Sequence, residues 1–273
     1  MRRETHGLVT ATVVTLIFIA MTVPALAIVY GELDEGRHPF VGSMLFDFDE
    51  DGTLDQLCSG TLISSTVFLT ASHCTDFLDA AEVGPGGAAV TFDDEIGGGM
   101  TVYWGTHYTH PDFGFTGPGG QSDPHDVAVI VFDAPIGISP ARLATEGLLD
   151  ELKVSHELDD TLFTAVGYGT VRESRKKGFG GILDNVERRM AIQSPLSLEK
   201  AWFNLSMNEA TNNGGTCYGD SGGPHFLGAG GTETTIVVSV TVTGDAVCKA
   251  TDKTYRVDTP SARGFLGDFV SLP

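Results

Sequence analysis

Short hydrophobic runs alternate with glycine-rich turns through the chain after residue 27. β-branched and aromatic residues concentrate in six segments that predict strands, at 40–46, 59–63, 67–71, 127–132, 163–166 and 235–243. Glycine clusters lie between segments of this kind and predict loops, at 84–87, 97–99, 117–120 and 178–181. No repeat of fixed period is present. The pattern therefore predicts an all-β fold with many turns.

Two segments have helical features. Residues 144–152 have the composition of a short helix. The C-terminal segment has more features, because Thr259 suits an N-cap and Pro260 suits the first helical position. Apolar side chains follow at the spacing of one helical face, at Ala262, Phe265, Leu266 and Phe269. We therefore expect a C-terminal amphipathic helix that packs on the β-structure.

The first residues have the features of a targeting segment. Arg2 and Arg3 supply positive charge, residues 8–23 are uncharged and largely apolar, and residues 25–27 form a small-x-small cleavage pattern. A membrane anchor is the alternative, because the apolar run is almost long enough to span a bilayer. The pattern favours a cleaved signal peptide over residues 1–27.

Composition narrows the class of protein. The chain has 273 residues, 41% hydrophobic and 19% charged, which is enough for one large core or two smaller ones. Its formal net charge of −20 argues against a general affinity for nucleic acid. Export implies an oxidising compartment, so the four cysteines are expected to form disulfides, with three pairings open. The least structured connection spans 136–160, and we place a boundary near residue 150 between subdomains 28–150 and 151–273.

The segment Cys217-Tyr-Gly-Asp-Ser-Gly-Gly-Pro224 carries the strongest chemical signal. A serine hydroxyl is a poor nucleophile until a base removes its proton, and the oxyanion that forms needs amide donors. Glycines on both sides of Ser221 allow a sharp turn that brings amides close to a bound carbonyl. An incidental glycine-rich turn is the alternative. The segment predicts a nucleophile loop around Ser221.

Two more segments supply a base and a carboxylate. His73 follows an apolar strand, and a histidine held there is suited to act as a base near neutral pH. A packed structural histidine is the alternative; no second Cys/His cluster with ligand spacing is nearby, so zinc is not expected. Asp126 directly precedes the apolar run 127–132, where poor solvation suits a carboxylate that orients a histidine. Taken alone, Asp126 also fits an ordinary turn.

Together these motifs resemble the chymotrypsin/trypsin family, in the order His, Asp, Ser: Thr70-Ala-Ser-His-Cys74, His125-Asp-Val-Ala-Val-Ile130 and Gly219-Asp-Ser-Gly-Gly-Pro224. The likeness extends from about residue 28 to the C-terminal helix. The resemblance implies two perpendicular six-stranded antiparallel β-barrels with a C-terminal α-helix and the site in the cleft between them. It also implies Ser221 as nucleophile, His73 as general base and then acid, and Asp126 as the carboxylate that orients the histidine.

The resemblance implies roles for neighbouring residues. The amides of Gly219 and Ser221 would form the oxyanion hole. Ile28-Val-Tyr-Gly31 resembles the N-terminus that zymogens of the family release on activation, whose α-amino group would pair with Asp220. Cleavage after Ala27 would expose Ile28 directly, which is a second reason to expect a signal peptide. The disulfides implied are Cys58–Cys74 and Cys217–Cys248.

Several residues match the walls of the family's specificity pocket, which selects the substrate side chain. Gly215 stands six residues before the nucleophile, so the carboxylate that binds Arg or Lys in trypsin relatives is missing. Ser239 and Thr241 lie on the opposite wall, where Thr241 replaces a glycine and would narrow the entrance. Either Asp252 or Lys253 matches the third wall, and the sequence leaves both open. The resemblance favours small to medium apolar side chains.

The remaining features have modest interpretations. Asp47, Asp49 and Asp51 open a calcium-like loop that lacks the twelfth-position glutamate, so a solvated acidic turn is favoured over calcium. Asn204 begins a glycosylation sequon. No role is assigned to four other histidines, His107, His110, His125 and His225. The basic run 172–177 fits an exposed loop.

The expected function is that of a secreted, extracellular serine endopeptidase that needs no cofactor and no metal. Its expected partners are a polypeptide substrate and protein protease inhibitors, with no nucleic acid and no membrane after signal cleavage, and we expect a monomer. The alternative is a catalytically silent binding module on the same fold. An enzyme that cleaves only esters has no feature in its favour.

Overall fold

The computed structural model of the chain describes residues 30–114, 122–172 and 178–273. The described part of the first half contains the strands β1 (Glu32–Leu33), β2 (Val41–Phe46), β3 (Asp55–Leu62), β4 (Val67–Thr70), β5 (Ala88–Thr91), β6 (Val102–Thr109), β7 (Ala128–Phe132) and β8 (Arg142–Leu143). The second half contains β9 (Phe163–Gly167), β10 (Val171–Arg172), β11 (Ile182–Leu183), β12 (Arg189–Gln193), β13 (Pro195–Leu198), β14 (Trp202–Ser206), β15 (Pro224–Leu227), β16 (Ile236–Gly244) and β17 (Thr251–Arg256). The helices are α1 (Ser72–Ala80), α2 (Leu148–Val154) and α3 (Pro260–Leu266). In these three ranges no helix has the length and apolar character needed to cross a membrane.

Strands β2 to β7 close into a six-stranded barrel in the order β2-β3-β4-β7-β6-β5. All neighbours are antiparallel, and closure leaves this sheet without exposed edges. Phe68 is fully buried inside the barrel. Gly60 gives this ring its space, because a Cβ there would lie 2.5 Å from the ring carbons. The barrel interior is therefore a packed core rather than a ligand cavity.

The second half forms a nine-stranded sheet that is open at its ends. Its order is β1-β12-β9-β15-β16-β17-β14-β13, and β8 adds to β16 in parallel. Strand β1 pairs with β12, so the start of the described chain is already attached to this second sheet. The serine motif leads into β15, which lies between β9 and β16 within this sheet.

The predicted all-β architecture and C-terminal helix are confirmed. Each of the six predicted strand segments overlaps a strand of the structure, and α3 begins as predicted, with the Thr259 hydroxyl accepting a hydrogen bond from the Ala262 amide at 3.3 Å. The second half is a half-barrel, because its described strands pair into an open order rather than a closed ring. After the barrel, the chain returns to this sheet at β8, ahead of the predicted boundary near residue 150, which stays a prediction.

A buried charged cluster joins the two halves. Arg188, next to β12, donates to a carboxylate oxygen of Asp34 at 2.9 Å and to the barrel carbonyls of Val41 and Phe92 at 3.1 and 2.9 Å. The Tyr168 hydroxyl accepts a further Arg188 hydrogen bond at 3.0 Å. Because a buried guanidinium needs several acceptors, these contacts fix how the second sheet sits against the barrel.

Candidate active site

His73 and Asp126 form a doubly bonded pair at one end of the barrel. The Asp126 carboxylate accepts from the His73 backbone amide at 2.9 Å and lies 2.8 Å from His73 Nδ1. Asp126 is almost fully buried, whereas the His73 side chain is one-third exposed. The carboxylate therefore fixes both the backbone and the ring of His73, and leaves the outer ring nitrogen available to a reacting group.

Local structure explains how these two residues meet. Strand β4 ends at Thr70, and His73 lies in the first turn of α1. Strand β4 pairs with β7, which begins two residues after Asp126. The Ser72 hydroxyl ties the two segments together by donating to the Val127 carbonyl at 2.7 Å. The histidine was predicted at the end of a strand; the helix that follows directly was not predicted.

The loop around Ser221 is held against the barrel by strand β3. The Ser59 amide donates to the Ser221 carbonyl at 2.8 Å, and the Ser59 hydroxyl donates to the Gly219 carbonyl at 3.0 Å. Gly219 has φ +93°, which favours glycine. Cys74 Sγ lies 3.8 Å from the Ser221 carbonyl oxygen, so the residue after His73 is next to the serine. The three predicted motifs therefore come together on one side of the molecule.

Asp220 is fully buried directly before Ser221. Its carboxylate oxygens accept from the amides of Gly169 at 2.7 Å and Cys217 at 2.8 Å. Burial raises the pKa of Asp220 to about 7; the two amide hydrogen bonds oppose this rise, and the charge of Asp252 adds to it. No cation is hydrogen-bonded to this carboxylate in the described part of the chain, so a positive group beside it would stabilise its charged form.

Both disulfides that the family resemblance implies are present. Cys58 and Cys74 join β3 to α1 beside His73, and Cys217 and Cys248 join the serine loop to the segment after β16. Cys58, His73 and Cys74 lie close enough to resemble a metal site, but the two cysteines are bonded to each other and therefore do not bind a metal ion there.

A cavity of about 230 Å³ opens beside Ser221. Thr241 lines it, as predicted for the pocket wall, and Met207 lines it from the segment after β14. A Cβ at Gly215 would lie 2.3 Å from Met207 Cγ, so the methionine occupies the space next to the glycine. Among the described lining residues the one acid is Asp245, whose carboxylate already accepts from the backbone amides of the turn that follows it.

The open choice between Asp252 and Lys253 has a structural answer. Asp252 is fully buried behind the cavity, where it accepts from Gln193 Nε2 and lies beside His225 Nε2, both at 3.0 Å. Lys253 lies over the Trp202 ring, 4.1 Å from its centroid. Neither residue lines the cavity. Ser239, also predicted for the pocket, is fully buried in β16.

Several predicted features lie away from the cleft or outside the described residues. Asp47, Asp49 and Asp51 come together on an exposed loop, where Asp47 accepts from the amides of Asp51 and Gly52, as in a self-contained acidic turn. Asn204 is buried, and its side-chain Nδ2 donates to Ser197 Oγ and Glu199 Oε1. This leaves no room for a glycan on that nitrogen. Ile28, the signal segment and most of the basic run 172–177 lie outside the described residues.

The sequence missed two parts of this region. Nothing in the pattern marked Met207 as a pocket residue, because the loop 207–216 returns to the pocket only in three dimensions. The buried group of Gln193, His225 and Asp252 was also missed, although a histidine directly after the Gly-Gly-Pro motif was a signal that could have led to it.

A closed β-barrel beside a second antiparallel sheet, with a histidine–aspartate pair next to a glycine-flanked serine, is the arrangement of the chymotrypsin-like peptidases. The chain belongs to the trypsin family, whose family model, described as Trypsin, matches residues 31–264. It is similar to a protein named "Trypsin" from Saccharopolyspora erythraea, with 26% identity over 196 residues, which cover 68% of this chain and 75% of that relative. The protein is therefore a peptidase of this family.

Proposed function

We propose that the protein is a secreted serine endopeptidase in which Ser221, His73 and Asp126 carry out the reaction. The observation that carries the proposal is the double hydrogen bond of Asp126 to the amide and ring of His73. A carboxylate in that position keeps the proton on Nδ1, so that Nε2 is free to accept the serine proton.

The proposed reaction proceeds through an acyl-enzyme. Ser221 Oγ attacks the scissile carbonyl carbon while its proton passes to His73 Nε2, and the amides of Gly219 and Ser221 stabilise the oxyanion. His73 then gives the proton to the leaving nitrogen as the C–N bond breaks. A water molecule repeats the sequence on the ester, which releases the acid and restores Ser221.

The proposed activation step needs the α-amino group of Ile28. Support comes from Asp220, whose buried carboxylate has a raised pKa and would gain from a cationic partner. Tyr30, two residues after Ile28, packs beside Met207, Cys217 and Cys248 at the wall of the pocket. A mature chain that begins at Ile28 would thus start close to the serine loop, and no activating protease would be required.

The proposed substrates have small to medium apolar side chains before the scissile bond. Support comes from Met207, which fills the space beside Gly215, and from the modest cavity volume of about 230 Å³. Asp252 is fully buried and does not line the cavity, and Asp245, the one acid among the described lining residues, already accepts from backbone amides, which argues against a preference for Arg or Lys. The alternative of a silent binding module is not favoured, because the His, Asp and Ser of the triad are all present and the His73 and Ser221 residues are both partly exposed.

The test is the intact mass of the secreted protein before and after treatment with a fluorophosphonate probe that labels active serines. We expect a chain that begins at Ile28 and gains one probe, no labelling of Ser221→Ala, and normal labelling of the control Ser65→Ala, whose serine is exposed and outside the site. An Ile28-terminated protein that stays unlabelled would favour the binding module. Labelling of a chain with another N-terminus would contradict the activation proposal alone.

A further inference from the structure

A second groove, about 600 Å³ in volume, lies between the end of β6 and α3. His110, Asp112 and His125 line it, together with Ser261 and Asp268. His125 immediately precedes Asp126 in the chain, but the proposed peptidase reaction uses neither histidine. The groove therefore holds two imidazoles and a carboxylate with no assigned role.

The two imidazole rings stack on each other. Their centroids are 4.7 Å apart and their planes differ by 27°. His125 Nδ1 is held by the Ser261 hydroxyl at 3.0 Å, with a carboxylate oxygen of Asp123 at 3.6 Å. These contacts fix the orientation of the His125 ring and leave Nε2 for another partner.

The backbone at His125 is in the left-handed region, with φ +55°. A residue with a side chain is uncommon in that region, and such positions concentrate at functional sites because the surrounding structure must hold them. Here the conformation places His125 against His110, which is itself almost fully buried.

We propose that His110, Asp112 and His125 bind one divalent cation of the borderline class, such as Zn²⁺ or Co²⁺. Two neutral imidazoles and one carboxylate, with water in the fourth position, form a ligand set that suits Zn²⁺. The carboxylates of Asp123 and Asp268 add negative charge nearby. Sequence spacing alone did not predict a metal, since these ligands come from segments that meet only in the fold.

The distances allow such a site after a small adjustment. One ligand atom from each of the three residues lies within 4.8 Å of the other two. Metal–ligand bonds of about 2.0–2.1 Å in a tetrahedral site bring ligand atoms to about 3.3–3.5 Å from one another. Asp112 is exposed and half-buried His125 is adjacent to open groove, so both have room for this movement.

One existing hydrogen bond opposes tight binding. His110 Nδ1 accepts from the Asp112 amide at 3.1 Å. An ion on Nδ1 would replace this hydrogen bond directly, and an ion on Nε2 would require the ring proton to move to Nδ1, so binding through either nitrogen costs the amide its acceptor. We therefore expect weaker binding than at a closed structural zinc site, whose ligands have no competing partner.

The experiment is a titration of metal-free Ser221→Ala protein with Co²⁺ and with Zn²⁺, followed by the visible absorption of bound Co²⁺ and by calorimetry. The Ser221 change prevents self-digestion, so the readout is independent of the proposed peptidase activity. We expect one equivalent to bind, and a rise in Tm with Zn²⁺ concentration because the ion binds the folded chain.

Three variants in that background decide the proposal. His125→Asn and Asp112→Asn should each weaken binding at least tenfold, and asparagine tolerates the left-handed backbone at residue 125. His156→Asn is the matched control, because His156 also has positive φ, at +62°, but is exposed and distant from the groove. Asp112 is exposed, so its variant keeps the test valid if the His125 variant fails to fold.

The proposal is overturned if no Co²⁺ or Zn²⁺ binds by about 1 mM, a concentration that corresponds to roughly 4 kcal/mol of binding free energy. It is also overturned if both variants bind as well as the control. Binding that is lost instead on changing Asp47, in the acidic loop, would assign the ion to that loop and equally reject the groove.

Discussion

At the scale of single residues, Asp126 is the side chain on which the active-site geometry most depends. Its two hydrogen bonds go to the backbone and the ring of the same histidine, so the carboxylate holds the position and the tautomer of His73 together. Such a carboxylate must accept twice and donate nothing, which an ionised aspartate does and an amide cannot.

Replacement of Asp126 by asparagine should therefore leave the fold intact and lower kcat by about 10³–10⁴-fold at neutral pH, with little change in KM. The reason is that the asparagine NH₂ group favours the wrong His73 tautomer. Steady-state hydrolysis of a peptide ester or amide measures the loss.

The matched control for Asp126→Asn is Asp79→Asn. Asp79 also bonds a histidine, with 2.9 Å between its carboxylate and His107 Nε2, but it lies on the outer part of α1. We expect nearly full activity from this control. Retention of more than a tenth of the activity by Asp126→Asn would contradict the assigned role.

At the residue scale, a contiguous motif can be recognised in the sequence, whereas a contact made only in three dimensions cannot. His73, Asp126 and Ser221 each stand in a short motif, and the structure brings the three motifs together; their catalytic roles stay predictions. Met207 was not predicted, because its place in the pocket depends on the missing Cβ of Gly215. Asp252 and Lys253 could not be separated, since a one-residue shift in a strand reverses which side chain faces inward.

At the scale of elements, the end of β14 helps to form the cavity beside Ser221, which is the proposed specificity pocket. Met207 follows that strand directly, lines the cavity and is fully buried against Cys248. A side chain at this strand end would limit how far a substrate side chain can enter. The size of the cavity therefore depends on where β14 ends as well as on the serine loop, whose residues also line it.

Met207→Ala should enlarge the pocket and shift preference toward larger side chains. We expect the ratio of kcat/KM for phenylalanine over alanine substrates to rise about tenfold, which corresponds to roughly 1.4 kcal/mol. The cavity should also lower the free energy of unfolding by about 2–4 kcal/mol. Met100→Ala, in the barrel half, is the control for a general loss of packing. An unchanged substrate ratio would show that Met207 does not limit the pocket.

Elements were predicted best where apolar residues run continuously along a strand or line one face of a helix. Four of the six barrel strands were predicted, β2, β4 and β7 to within one residue at each end and β3 with a start four residues late, and α3 begins where it was predicted. Strands β5 and β6 were not predicted. Helix α1 was missed because its nine residues carry no side-chain cap and only a narrow apolar face. The openness of the second sheet depends on which strands pair at its ends, and strand pairing over long distances leaves no local signal.

At the scale of the whole molecule, a buried histidine links the first part of the described chain to the second sheet. His38 is hydrogen-bonded through Nδ1 to Asp34 and through Nε2 to Glu233, the second at 2.7 Å. Glu233 also accepts from the Thr164 hydroxyl at 2.7 Å. Burial alone would lower the pKa of His38, but the hydrogen bonds and charges of Asp34 and Glu233 outweigh it and raise the pKa above 6.5.

This raised pKa gives stability a defined pH dependence. Protonated His38 stabilises the fold below its unfolded pKa of about 6.5, and the contribution is lost as pH rises through the higher folded pKa. Asp34 and Glu233 give stability the opposite pH dependence, because the contribution of a carboxylate with a lowered folded pKa is lost as the pH falls. Their hydrogen bonds to His38 lower the pKa of Glu233, and lower that of Asp34 to about 2, although burial opposes both shifts. Arg188 on Asp34 and Arg37 near Glu233 are the other charges that face the cluster.

His38→Gln in the Ser221→Ala background should therefore lower Tm most below about pH 6.5, and by progressively less as the pH rises through the raised folded pKa of His38. A loss of 1 kcal/mol corresponds to about 2–4 °C for a chain of this size. Differential scanning calorimetry across this range measures the difference between variant and parent. The exposed His156→Gln serves as control. A difference in Tm that stays constant with pH would mean that His38 contributes through packing alone.

The segment Gly167-Tyr168-Gly169 limits which substitutions the protein can accept. A Cβ at Gly167 would lie 2.2 Å from Asp220 Oδ1, and one at Gly169 would lie 2.5 Å from Asp220 Oδ2. The Asp220 carboxylate thus fits into space that exists only because both neighbouring residues lack a Cβ. A side chain at either glycine would displace the Asp220 carboxylate. The sequence is therefore constrained at two positions that act through the residue before Ser221 rather than through any of the three proposed catalytic side chains.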